Sequence, residues 1–127
     1  MIDPHFRNHL LTDVDIIAAV GNNIYALRLP QGTTTTSIVF EISGGHRAPQ
    51  TGSMETVIRH DITLLVYSPS YETLRELSGH IDQLLNGMHG PMGTFSVTSA
   101  QITSAINTYE EELKLYRNII SLTIYTN

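Results

Sequence analysis

The feature that most constrains the fold is an amphipathic stripe in the second half of the chain. Its apolar residues recur at three- and four-residue intervals, at Leu74, Leu77, Ile81, Leu84, Leu85 and Met88. This period is typical of an α-helix with one apolar face. Ser68-Pro69-Ser70 offers a capping hydroxyl and a helix-start proline, and Asn86-Gly87 ends the pattern. Burial on a sheet stabilises each large aliphatic side chain by about 1.5–3 kcal/mol, so we expect this helix to be the main helix–sheet contact.

Strands are predicted on both sides of this helix. Segments rich in β-branched residues, mostly with the period of two of a half-buried strand, lie at 24–29, 38–43, 57–67, 94–107 and 116–125. His60 falls on the apolar face of the third. In the fourth, the apolar positions change parity, which predicts a bulge near Ser99 because one extra residue inverts which side chains point inward.

The first twenty residues carry a helical pattern in two pieces. Asp3-Pro4 begins the first piece, and Thr12 or Asp13 caps the second. The residues expected to pack inward are Phe6, Leu10, Leu11, Val14, Ile17 and Val20. Further on, the segment from Gly44 to Gly52 holds three glycines and one proline, and we predict a mobile loop there.

The order helix, three strands, helix, two strands predicts a single α+β domain over residues 1–127. We expect a mainly antiparallel sheet of four to five strands, with an N-terminal helical segment and one long helix packed on the sheet. A chain of 127 residues fits one domain. Strand edges in this arrangement are left without a cover, which favours a partner subunit.

The composition excludes several classes of protein. Cysteine is absent, which excludes disulfides, thiolate metal sites and cysteine nucleophiles. The net charge is −5 and the seven basic residues are scattered, whereas a protein that grips nucleic-acid phosphates needs them clustered. No apolar run approaches the ~20 residues of a membrane span, and the N-terminus lacks the pattern of a signal peptide. We therefore expect a soluble, cytoplasmic chain.

No pattern in the sequence indicates catalysis, a cofactor or a metal. His5 and His9 have the spacing of a zinc helix, but Phe6 stands where hydrolytic zinc motifs place a glutamate. The glycine-rich segment matches no phosphate-binding motif, and no Gly-x-Ser-x-Gly elbow is present. Three adjacent carboxylates, Glu110 to Glu112, are typical of a solvated run.

Taken together, three stretches resemble the tail-completion, or tail-terminator, proteins of long-tailed bacteriophages. The first runs from Val20-Gly21-Asn22-Asn23 to Leu29-Pro30-Gln31-Gly32. The second is Arg59-His60-Asp61-Ile62 through Tyr67 with the helix that follows. The third runs from Tyr109 to Arg117, across most of the acidic linker Thr108–Lys114, and leads into the closing strand Ser121-Leu122-Thr123-Ile124-Tyr125. Each is weakly specific, but their joint order covers nearly the whole chain.

This resemblance implies a structural virion protein without catalysis or cofactor. Such subunits form a ring, commonly hexameric, that caps the tail tube, stops its growth and presents a surface for joining the head. The implied partners are further copies of the chain, the tail-tube protein and head-neck connector proteins, in a tail or neck assembled in the host cytoplasm. DNA passes through the lumen without specific binding, which an acidic lumen would favour.

The residues expected to contact other subunits or the tail tube are His46, Arg47, Gln50, Glu110, Glu111, Glu112 and Arg117. The glycine-rich loop is expected to become ordered on docking to the tube, with Arg47 making a polar contact; a solvated Arg47 is the alternative. Another neck or head-closure connector is a second interpretation of the whole chain. A small ligand-binding or enzymatic α+β domain and an RNA-binding sheet are further alternatives, and the acidic charge weighs against the last.

Overall fold

The computed structural model describes residues 3–48 and 57–126, and β-strands dominate it. The helices within these ranges are α1 (Asp3–Leu10), α2 (Val14–Val20) and α3 (Tyr71–Leu85). The strands are β1 (Ile24–Ala26), β2 (Ser37–Ala48), β3 (Val57–Ser68), β4 (Gly90–Met92), β5 (Phe95–Glu110) and β6 (Leu115–Thr126). Among the helices described, none has both the length and the apolarity needed to cross a membrane.

The described strands form one six-stranded sheet in the order β1-β2-β3-β6-β5-β4. β1 runs parallel to β2, and every other pair is antiparallel. The predicted α+β domain, with a mainly antiparallel sheet of four to five strands and one long helix, is therefore wrong. The chain is mostly β, with a mixed sheet and three short helices in its described part. β4 is too short to show a period, and the sequence of β1 does not reveal parallel pairing, which depends on the crossover through residues 27–36.

Helix α3 confirms the amphipathic prediction. The Ser70 hydroxyl accepts a hydrogen bond from the Thr73 backbone N–H at 3.4 Å, which caps the first turn. The stripe faces inward onto β3, β5 and β6, and its fully buried members are Leu74, Leu77, Ile81 and Leu85. With α1 and α2, this helix covers one face of the sheet and forms the main hydrophobic core.

Helix α2 differs from the prediction in the face it buries. The Asp13 carboxylate caps it, accepting hydrogen bonds from the backbone N–H groups of Asp15 and Ile16 at 2.9 and 3.2 Å. Ile16 and Val20, four residues apart, are buried. Val14 and Ile17 were predicted to pack inward with Val20, but both are exposed. The buried pair has the four-residue spacing of one helix face, and a start at Val14 places that side chain away from the core.

β2 continues into the glycine-rich segment. His46 lies opposite Arg59 and Ala48 opposite Val57, after a register shift between Ser43 and His46. The predicted mobile loop is therefore wrong for residues 44–48, whereas residues 49–52 lie outside the described part. Pairing with β3 outweighs the low strand propensity of the two glycines, and the bulge accommodates the irregularity.

The second face of the sheet carries a smaller apolar cluster. Val39, Tyr67 and Leu115 are buried there, and Tyr25 and Leu29 pack against them from β1 and the crossover. The rest of this face is polar, because the side chains that alternate with core residues on β3 and β6 are mostly hydroxyl-bearing or charged. We call it the open face.

Candidate functional site

The long hairpin of β5 and β6 is the most extended element of the sheet. Its strands pair from Val97 opposite Thr126 to Glu110 opposite Leu115, and residues 111–114 form the turn. The register of β5 against β6 shifts twice, once between Val97 and Ser99 and once between Ile102 and Ser104. The predicted bulge near Ser99 is confirmed, and the second shift was not foreseen. The predicted acidic linker is shorter than expected, because β5 extends to Glu110.

Within this hairpin, two of the predicted contact residues bond to each other. The Arg117 guanidinium lies 3.4 Å from a Glu110 carboxylate oxygen, and its Nε donates to the Thr108 hydroxyl at 3.2 Å. Glu111 and Glu112, in the turn, are exposed. The acidic turn therefore presents two solvated carboxylates, whereas Glu110 and Arg117 stiffen the end of the hairpin.

Three tyrosines form a cluster where the hairpin meets the start of α3. The Tyr116 ring lies between Tyr71 and Tyr109, with centroid distances of 5.5 and 5.0 Å and steep angles between the ring planes. The Arg75 guanidinium lies 6.0 Å from the centroid of Tyr71. Tyr71 and Tyr109 remain more than 40% exposed. Tyrosine and arginine are enriched in protein interfaces, so this cluster is a candidate contact that the sequence interpretation missed.

The outer edge of β5 is covered only in part. The Gly87 N–H donates to the Ala100 carbonyl at 2.9 Å, and the Ile102 N–H donates to the Asn86 side chain at 3.1 Å. Between residues 103 and 110, β5 pairs with β6 and with no other strand in the described part of the chain. Ile106, in the middle of this stretch, is 56% exposed. An uncovered edge with an exposed apolar side chain favours strand pairing with another chain.

A different set of exposed apolar side chains comes from α2 and from the residue after β1, which is the first strand of the sheet order. Val14 and Ile17 project from α2, and Leu27 follows β1 with 69% of its surface exposed. Leu27 has φ +72°, a left-handed conformation that bulky residues rarely adopt, and its N–H donates to the Phe40 carbonyl at 2.9 Å. That hydrogen bond fixes the backbone while the side chain points to solvent.

The open face contains a shallow concavity of about 460 Å³. Glu41, Asp61 and several hydroxyl side chains line it, and no histidine is among the lining residues. The Asp61 carboxylate already makes two contacts within the sheet. It forms a salt bridge with Arg59 at 3.2 Å and accepts a hydrogen bond from the Thr123 hydroxyl at 3.2 Å. The carboxylates and hydroxyls give this surface polar groups suited to contact with another molecule.

The remaining predicted contacts fall on the β2–β3 side. His46 and Arg47 were predicted in a loop, but their backbone belongs to β2, opposite Arg59 and Ile58. Gln50 lies outside the described residues. The structure therefore separates His46 and Arg47 from the acidic turn, since β3 and β6 lie between β2 and β5 in the sheet.

The described histidines do not assemble into a metal centre. His5 contacts Phe95 and lies 3.4 Å from the Thr94 hydroxyl, while the Nε2 atom of His9 is buried without a hydrogen-bond partner. Burial lowers the pKa of His9. Within residues 3–48 and 57–126, no three histidine, aspartate or glutamate side chains are close enough to hold a metal ion.

Comparisons with known proteins agree with the resemblance of the three sequence stretches. A chain in a solved structure, "Virion of native gene transfer agent (GTA) particle", has the same fold, with a TM-score of 0.72 at 15% identity over 94% of this chain and 89% of that chain. A search of curated proteins found no match. The family model described as tail completion protein gp17 matches residues 5–127. Because that match covers nearly the whole sequence, the chain belongs to the tail completion protein gp17 family of bacteriophage structural tail proteins.

Proposed function

We propose that the chain is a non-enzymatic subunit of a ring that caps the tail tube, ends its elongation and provides the surface for joining the head. The observation that carries this proposal is the family match over residues 5–127. The fold shared with a chain of a gene transfer agent particle supports a place in a virion.

A ring, commonly of six copies in proteins of this kind, requires each subunit to present two different surfaces. Repeated head-to-tail contacts close into a ring when the rotation between neighbours divides a full turn. The described sheet leaves backbone edges at both ends, along residues 103–110 of β5 and along β2 beyond its pairing with β1. These edges support the proposal of a subunit that assembles, because unpaired backbone groups at a sheet edge can form hydrogen bonds with a strand of another chain.

The tail-tube protein and head-neck connector proteins are the proposed neighbours in the tail or neck, and the host cytoplasm is the proposed place of assembly. His46, Arg47 and Gln50 are the proposed contacts to the tube. Truncating a side chain that makes a charged hydrogen bond costs about 1.5–3 kcal/mol, so we expect Arg47→Ala to weaken tube binding about tenfold or more. Gln83→Ala, at an exposed position of α3, is the matched control and should bind normally.

We further propose that DNA passes through the ring without being held. The chain has a net charge of −5, and the two described arginines of the open face, Arg59 and Arg117, are each paired with a carboxylate. Double-stranded DNA should therefore show no binding by fluorescence polarisation at 150 mM salt, whereas a protein that neutralises phosphates binds and does so in a salt-dependent way. Salt-dependent binding at micromolar protein would contradict both the proposal and an acidic lumen.

The central experiment is polymerisation of the tail-tube protein of the same virus with and without the chain, followed by negative-stain electron microscopy. The expected result is shorter tubes, each with a ring of density at one end only. The same ring should bind one end of preformed tubes and prevent their further growth. Tubes of unchanged length with bare ends would contradict the capping role, and binding to isolated connector rings instead would favour a head-closure role.

A further inference from the structure

The large apolar side chains that the structure describes as exposed fall into two groups by the elements that carry them. One group comes from α2 and from the residue after β1, the next element in the chain, and the other lies on the β5–β6 hairpin and the start of α3. The members are Val14, Ile17 and Leu27 in the first, and Tyr71, Ile106, Tyr109 and Leu113 in the second. We call these the β1 flank and the hairpin flank. Exposed apolar side chains gathered in patches indicate interaction sites.

The hairpin flank has the features of a rigid docking surface. The aromatic contacts through Tyr116 hold Tyr71 and Tyr109 in place, so binding costs little side-chain entropy. The free stretch of β5 adds unpaired backbone groups next to Ile106. The turn beyond it contributes the solvated carboxylates of Glu111 and Glu112.

The β1 flank complements this surface in both polarity and charge. Leu27 is displayed on a fixed backbone, and the exposed Arg28 follows it directly. In the described part of the chain, Arg28 has no carboxylate within ion-pair distance, whereas Arg59 and Arg117 are both paired. The turn carries Glu111 and Glu112 against the single cation Lys114. Arg28 beside exposed Leu27 therefore matches a turn of net negative charge beside exposed tyrosine.

We infer that the hairpin flank of one copy docks on the β1 flank of the next, which makes the ring contact heterologous; this inference rests on the proposed ring. A second copy is the favoured occupant because both complementary surfaces are present on one chain, one after the first strand of the sheet order and the other on the β5–β6 hairpin. Like-with-like pairing of hairpin flanks would bring two acidic turns together, and like charges across an interface are destabilising. Only the pairing of a hairpin flank with a β1 flank buries both apolar patches and brings opposite charges together.

The absence of cysteine allows a direct test by cross-linking. Arg28→Cys and Glu111→Cys are introduced into one chain, which is assembled alone and on tail tubes and then treated with a short bismaleimide. A heterologous contact should give a covalent ladder of dimer, trimer and higher species up to the ring. The matched control pair, Gln83→Cys with Gln101→Cys, uses exposed positions outside both flanks and should give no ladder.

The outcomes separate the inference from the proposed function. Rings seen by native mass spectrometry or on tubes without a ladder from the introduced thiols would overturn the docking of these two flanks while leaving the capping ring intact. Cross-linking that stops at dimers, with rings present, would overturn it in the same way by showing a like-with-like contact. Absence of rings both alone and on tubes would overturn the proposed function and the inference together.

Charge reversal provides a second test that leaves the fold intact. Exposed ion pairs contribute up to about 1 kcal/mol, so Arg28→Glu should raise the concentration for half-assembly by roughly fivefold. The double variant Glu111→Lys, Glu112→Lys should raise this concentration by a similar factor. Combining all three substitutions in one chain should restore assembly toward the original level. A triple variant that assembles no better than Arg28→Glu or the Glu111→Lys, Glu112→Lys double variant would show that these charges do not meet.

Discussion

At the scale of single residues, His60 is the buried polar group with the clearest consequence. It lies on the helix-covered face, as the sequence predicts, and its Nε2 is 3.0 Å from the Thr126 hydroxyl near the end of β6. Burial lowers the pKa of this imidazole below the usual 6.5, so the neutral form is favoured in the folded chain. The Phe95 ring, 6.1 Å away, completes an apolar surrounding in which a charged imidazole would be costly.

This arrangement predicts that acid weakens the fold. The unfolded chain binds a proton at His60 below about pH 6.5, whereas the folded chain resists it down to the lowered pKa. The unfolded state therefore holds more protons in that window, and the free energy of unfolding must fall as pH drops from about 6.5. Urea unfolding at pH 7.5 and 5.5 measures the loss.

The variant His60→Gln keeps a hydrogen-bonding side chain but cannot titrate, and it should lose less stability between these two pH values. Part of the pH dependence should remain, because burial also lowers the pKa of His9. An identical loss in the original chain and in His60→Gln would show that His60 does not drive the acid effect.

At the scale of elements, α3 carries the strongest prediction of stability. Leu77 is 1% exposed within the stripe that packs on the sheet. Replacing a buried leucine with alanine removes apolar contact and leaves a cavity, so Leu77→Ala should lower the free energy of unfolding by about 2–5 kcal/mol. Leu113→Ala makes the same chemical change at an exposed turn position and should stay within about 0.5 kcal/mol. Equal losses in urea unfolding would mean that α3 is not the main cover of the sheet.

The elements that sequence reasoning found share a strong local period. α3 and β6 were predicted within one or two residues, because their burial alternates with the period of a helix or a strand. The second half of β2 was missed because its glycines oppose strand structure locally, and only the distant partner β3 stabilises it. β4 was missed because three residues that include Gly90 and Pro91 look like a turn.

Among the candidate contact residues, too, those with a local sequence pattern were identified and those that depend on distant partners were not. Acidic residues in a turn are visible in sequence, so Glu111 and Glu112 were identified as solvated. The ion pair of Glu110 with Arg117 depends on the register of β5 and β6, which the sequence alone does not provide. The tyrosine cluster joins α3 to the hairpin across more than thirty residues, and no local pattern connects Tyr71 with Tyr109.

At the scale of the whole molecule, the two flanks make the direction of assembly testable. In a head-to-tail ring, a subunit damaged on one flank still has a working flank on its other side. Val14→Glu damages the β1 flank at a first-turn position where a helix tolerates an acidic residue. Ile106→Glu damages the hairpin flank at an exposed strand position. Each variant alone should form no rings, because every junction would include one damaged surface.

Mixing the two variants should create one working junction, between the hairpin flank of Val14→Glu and the β1 flank of Ile106→Glu. To trap it, the first variant also carries Glu111→Cys and the second Arg28→Cys. Bismaleimide treatment should then give a single covalent dimer and no longer species, since the outer flanks of that dimer are both damaged. Exchanging the two thiols places them on the damaged flanks and should abolish the cross-link. A dimer from Val14→Glu alone would instead show that hairpin flanks pair with each other, and the head-to-tail contact would be wrong.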